Sequence, residues 1–201
     1  MVTAQHAPSS PANSTNVRPG GAPLRLRLLR AGLGLTGRLA PAVAGAWAER
    51  LFFRPVVHSA PAREKDWLAR AERRDVTLSG QTLASYAWGA GPPVLLVHGW
   101  SGRASQMGQL GLALAAAGFR AVAFDLPAHG QSPGTSTDMP TVARTARAFA
   151  DAEGPLAAIV GHSMGAAAVA VAIGPGLLAE RAVLIGSTAR LSQVVSSFAT
   201  H

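Results

Sequence analysis

Leu156-Ala157-Ala158-Ile159-Val160-Gly161-His162-Ser163-Met164-Gly165-Ala166-Ala167-Ala168-Val169-Ala170-Val171-Ala172 is the stretch that decides the reading of this chain. An apolar run enters Gly161-His162-Ser163-Met164-Gly165, and an Ala-rich run leaves it. The G-x-S-x-G pattern between a buried strand and a helix puts a serine at the apex of a sharp turn. Small residues two before and two after that serine let neighbouring backbone pass. The helix that follows points its free N–H groups at the turn, where they favour negative charge. Hydropathy alone would make Gly154–Ala179 a membrane span, since it holds no charge over 26 residues. Gly161, Gly165, Gly174, Pro175 and Gly176 break it instead into a strand and a short helix of a buried sheet.

Working back from this stretch, short apolar runs alternate with helical ones. Val94–Val97 and Arg120–Phe124 read as strands, with a Leu- and Ala-rich helix between them over Ala104–Ala117. Met139–Asp151 reads as a helix with Thr137 or Asp138 as its cap. Leu156–Val160 is the strand before the turn, Met164–Ile173 the helix after it, and Ala182–Ile185 one more strand. A short helical or loop segment follows to His201. Asp75–Ser79 and Thr82–Trp88 around Gly80-Gln81 read as a leading hairpin. The order predicts a mostly parallel doubly wound sheet with helices on both faces and an antiparallel edge.

Upstream the texture differs. Residues 1–23 are rich in Pro, Gly and Ser and read as disordered. From Leu24 to Phe53 the pattern is helical, with Leu35, Leu39, Val43, Trp47 and Leu51 every four residues and Pro41 dividing two helices. Pro55–Pro61 reads as a linker, and Arg63–Arg74 as a short charged helix. Residues 1–74 hold 12 basic and 4 acidic side chains, whereas residues 75–201 hold 6 of each. The net charge of +8 therefore belongs to the leading segment. Its helical part is expected to pack on the main domain; the alternative is weak peripheral contact with a membrane through residues 24–54. No motif points to nucleic acid. The first 20 residues lack the apolar core of a secretory signal, and the expected compartment is the cytoplasm.

In an open α/β sheet the chemistry gathers at the carboxyl ends of strands. Three such ends carry unusual residues: His98-Gly99-Trp100, Asp125-Leu126-Pro127-Ala128-His129-Gly130-Gln131-Ser132, and the Ser163 turn. Ser163 is the candidate nucleophile. The Met164 N–H is one candidate oxyanion donor, and the Trp100 or Ser101 N–H is the second. With these three motifs in this order, residues 76–190 resemble the α/β-hydrolase superfamily, in its single-domain esterase, lipase and peptidase-like branch. The resemblance implies Ser163 as nucleophile and Trp100 with Met164 as oxyanion hole. His98, Gly99, Gly161, His162 and Gly165 then support the turn and its motifs. It gives Asp125 and His129 structural roles. Composition and resemblance together lead to three expected segments: a disordered 1–23, a basic helical extension and linker over 24–74, and a domain over 75–201 incomplete at its C-terminus.

The chain departs from the family at one point. The family's triad runs Ser, then Asp or Glu, then His. After Ser163 the acidic residue available is Glu180, which precedes the Ala182–Ile185 strand, and the one histidine is His201. The expectation is a partial chain whose acid and histidine lie further on, and which alone is poorly soluble or oligomeric. The expected activity of the whole protein is attack on a carboxylic ester, thioester or amide through an acyl-enzyme, with a small acyl compound as substrate. An acyltransferase or haloperoxidase-like chemistry would use the same residues. The alternative is a non-catalytic binding module. Ser163 argues against the epoxide hydrolases and dehalogenases of this fold, which carry a carboxylate at the turn. With no cysteine there is no thiolate site, and no histidine spacing suggests a metal; no cofactor is expected.

Overall fold

A computed structural model describes residues 23–187 apart from 79, 175 and 178. The segment read as a short helix or loop after Gly186 lies outside the described residues from position 188 on, as do the first 22 residues. The chain divides into two units between Ala48 and Glu49. The first holds helix α1, Leu24–Leu39, and most of α2, Pro41–Phe52. Pro41 begins α2, where its missing N–H costs nothing.

The second unit is a six-stranded sheet. Its strands are β1 Glu72–Leu78, β2 Gln81–Trp88, β3 Pro93–Val97, β4 Arg120–Phe124, β5 Ala158–His162 and β6 Ala182–Ile185, in the spatial order β1-β2-β4-β3-β5-β6. β1, β2 and β4 pair antiparallel, and β4, β3, β5 and β6 run parallel. The predicted doubly wound sheet with its antiparallel edge is therefore present. Its helices are α3 Ala62–Ala69, α4 Gly108–Ala116, α5 Met139–Glu153 and α6 Met164–Ala172. Asp138 caps α5 through a hydrogen bond from the Thr141 N–H, 2.7 Å.

The apolar strands lack alternation because both faces are covered. Leu95, Val97, Val122 and Phe124 face one core with α5 and α6, where Phe124 stacks on Phe149 at 3.8 Å. Val94, Leu96, Ala121 and Ala123 face the other core, which α4 closes. β6 ends the sheet among the described strands. Val183, Leu184 and Ile185 are exposed there.

Three readings are corrected. Arg63–Arg74 is not one helix: α3 stops at Ala69 and β1 begins at Glu72. Glu72 pairs with Arg74 at 2.9 Å and Arg73 with Asp75 at 3.2 Å, pairs two residues apart that share a face only in a strand. Charges on both faces of an edge strand also discourage strand addition. The Ala104 helix starts as a 3₁₀ turn, Ala104–Met107, before α4. The strand read at Leu156–Val160 lies two residues later, and Leu156 makes only an isolated bridge to Ala179.

The boundary expected at residue 75 falls inside the second unit. Residues 49–74 are tied to the sheet by specific polar contacts. Glu64 of α3 is buried, with Arg103 Nε donating to it at 2.7 Å and Ser105 Oγ at 2.6 Å. Burial pushes the Glu64 carboxyl up, but Arg103 and Ser105 outweigh it and hold the group below its usual range. Trp88 Nε1 donates to the Trp67 carbonyl at 2.9 Å. Removing one member of a buried ion pair leaves an uncompensated charge. Arg103→Ala should therefore lose about 3 kcal/mol in urea unfolding, while Glu64→Met with Arg103→Met should recover most of it. Equal losses in the single and double variants would contradict this.

Candidate active site

The chain leaves β3, crosses to β4 on one side, and returns to β5 on the other. The chain order thus reverses at β3, the place where open α/β sheets gather their ligands. Val97 pairs with Gly161, so the His98-Gly99-Trp100 loop and the Ser163 turn start level with each other.

The turn itself is strained. Ser163 has φ 54° and ψ −120°, a conformation L-residues rarely adopt. Its glycines permit the crossing. A Cβ on Gly165 would lie 2.4 Å from the carbonyl oxygens of Val97 and His98. One on Gly161 would lie 2.6 Å from Ala166 Cα and the Gly165 carbonyl oxygen. Ser163 is exposed at the apex, and a Cβ on Gly99 would sit 3.0 Å from its own Cβ. The structure thus brings Gly99 against Ser163, with Trp100 next in the loop and Met164 beginning α6. His162 is exposed beside the serine. Among the described residues no hydrogen bond reaches Ser163 Oγ, and none supplies a base.

Two buried histidines fix the β3 loop. His98 Nε2 accepts the Leu126 N–H at 3.1 Å, so its proton is on Nδ1, donated to the Gly99 carbonyl at 2.8 Å. His129 Nε2 accepts the Ser101 N–H at 3.0 Å, and its Nδ1 donates to the Pro127 carbonyl at 3.0 Å. Asp125 accepts the Ala104 N–H at 2.7 Å and the Gln131 N–H at 2.8 Å. Both Asp125 and His129 are thus committed to loop geometry. The Ser101 N–H is spent on His129, which leaves the Trp100 N–H without an acceptor among the described residues.

Sequence reasoning missed one wall of this region. Phe52 stacks on Trp100 at 6.4 Å and 24°, and Trp100 meets His129 edge-on at 5.5 Å. The Val56 N–H donates to Ser101 Oγ at 3.0 Å, and the Thr137 N–H to the Phe53 carbonyl at 3.0 Å. The end of the stretch read as helical and the segment read as a linker therefore brace the β3 loop. Their one sequence signal was the aromatic pair Phe52-Phe53 at a helix end.

The sequence model of the alpha/beta hydrolase family matches residues 94–200, just over half of the chain. This chain belongs to the alpha/beta hydrolase family. Among solved structures it is similar to a protein assigned as a lipase from Acinetobacter baumannii AYE, at TM-score 0.54 and 24% identity, over 62% of this chain and 44% of that one. It is also similar to the epoxide hydrolase VrEH1 of Vigna radiata, at TM-score 0.50 and 24% identity, over 57% and 40%. A third is the epoxide hydrolase CorEH, at TM-score 0.50 and 26% identity, over 56% and 41%. The chain thus spans less than half the length of these solved relatives. No curated protein matches it significantly.

In this family member the buried histidines set a pH limit. Burial lowers His98 to about 3 and also lowers His129. Both are neutral when folded but take a proton near 6.5 when unfolded, so the unfolded state binds more protons below that pH. Stability is full above 6.5 and falls as pH drops toward 3. His98 alone should cost about 2 kcal/mol between pH 7 and 5. Burial raises Asp125, which works in the opposite sense between 3.8 and its folded value. Urea midpoints at pH 7.5, 6 and 5 should therefore decline, and a flat series would contradict the assignment.

Proposed function

We propose that this chain carries the nucleophilic half of a serine hydrolase that cleaves a carboxylic ester, thioester or amide. In this reading Ser163 Oγ attacks the acyl carbonyl, the bond to the alcohol, thiol or amine breaks as that group leaves with the serine proton, and water then cleaves the acyl-enzyme to the acid and free Ser163. The observation that carries it is Ser163 at φ 54°, exposed on a strand-to-helix turn with Gly99 packed against it. The Trp100 and Met164 N–H groups are the proposed oxyanion donors, aided by the N-terminus of α6; each such donor is typically worth about 3 kcal/mol of transition-state stabilisation. Ser163 itself favours this over a carboxylate-nucleophile chemistry.

A fluorophosphonate probe should label the full-length protein at Ser163, located by peptide mapping. Absence of label in a folded full-length protein would leave the non-catalytic binding module as the better reading.

A further inference from the structure

Four arginines and no acidic residue precede Glu49 within the two leading helices: Arg25, Arg27, Arg30 and Arg38. At ~100° per residue, Leu24, Leu28, Leu35 and Leu39 fall within an arc of about 60° on α1. Arg25 lies on one flank of that stripe, and Arg27 and Arg38 on the other. The four leucines are 59–77% exposed. Leu26, Leu29 and Leu33 form a second row opposite them and are less exposed. In α2, Val43, Trp47 and Leu51 make an exposed stripe at four-residue spacing. Neither helix has a buried residue. Among the described residues no helix is long and apolar enough to cross a membrane.

We propose that α1 and α2 form an interfacial anchor for an anionic lipid bilayer. The leucine stripe and Trp47 enter the acyl boundary, and the flanking arginines meet the lipid phosphates. The pattern selects this occupant. A nucleic acid would pair with the arginines but leave the leucines in water. A second copy docked stripe to stripe would bring arginine flanks of one sign together. A lipid surface offers an apolar interior bordered by negative charge, in the same arrangement as the stripe and its flanks. The proposal stands apart from the chemistry at Ser163.

The test is sedimentation of the intact chain with vesicles of phosphatidylcholine alone, or with about a third phosphatidylglycerol. Binding to the anionic vesicles should be at least tenfold tighter and should fall as salt rises. Each flanking arginine near the surface contributes roughly fivefold, so Arg25→Gln, Arg27→Gln and Arg38→Gln together should lose on the order of a hundredfold. Leu28→Ser with Leu35→Ser keeps every charge and should also lose binding, by at least tenfold. Unchanged melting curves confirm that these variants remain folded. Equal binding to neutral vesicles would overturn the proposal. So would full binding by the leucine variant, tighter binding to a DNA or RNA oligomer, or a stable dimer that ignores vesicles.

Discussion

Ser163→Gly is expected to abolish fluorophosphonate labelling and, at the same time, to make the protein more stable. The two effects have separate origins. Labelling fails because the attacking oxygen is gone, and Ser163→Ala should fail equally, by a thousandfold or more in acylation rate. Stability rises only in the glycine variant. Ser163 sits at φ 54°, ψ −120°. A side chain held in such a region costs about 1–3 kcal/mol. Glycine enters it freely but brings a conformational entropy cost of roughly 0.5–1 kcal/mol. The net expectation is a gain of about 1 kcal/mol for Ser163→Gly over Ser163→Ala, read from urea midpoints. The alanine variant retains the Cβ and hence the strain. Equal stability of the two variants would mean the turn stores no strain at this residue.

The turn was legible because its requirements are local. An apolar run, small residues at Gly161 and Gly165, and a helix-forming run after Met164 suffice to place a serine at a turn apex. The sheet followed for a similar reason: Val94–Val97 and Arg120–Phe124 are short and wholly apolar, as strands covered on both faces must be.

What could not be read depends on contacts distant in sequence. Arg73 and Arg74 looked helical beside Arg63–Trp67, and only pairing with Tyr86 and Ser85 makes them strand. That the Ser101 N–H is already bonded could be seen only with His129, 28 residues away, in place. Phe52 against Trp100 and Val56 against Ser101 bridge some 45 residues with no periodicity to announce them. Segments that look like linkers by composition can therefore still carry the bracing of a site.

Gly165→Ala is expected to reverse the sign that helix propensity gives. In an open helix, alanine in place of glycine adds about 1 kcal/mol of stability. Gly32 in α1 has nothing within 4 Å of an added Cβ, and Gly32→Ala should raise helix content there. At Gly165 the added carbon would lie 2.4 Å from two carbonyl oxygens, those of Val97 and His98. Both belong to the end of β3 and its loop, so neither can swing aside as a flexible side chain would. The helix must move away from the strand, at a cost of about 3 kcal/mol. That movement also withdraws Ser163 and the Met164 N–H from the β3 loop. Displacements of about 1 Å at a reacting centre cost on the order of a hundredfold in rate. Gly165→Ala should therefore lower both the urea midpoint and the labelling rate of a full-length protein. A stable variant that labels at the normal rate would show that α6 and β3 need not approach this closely.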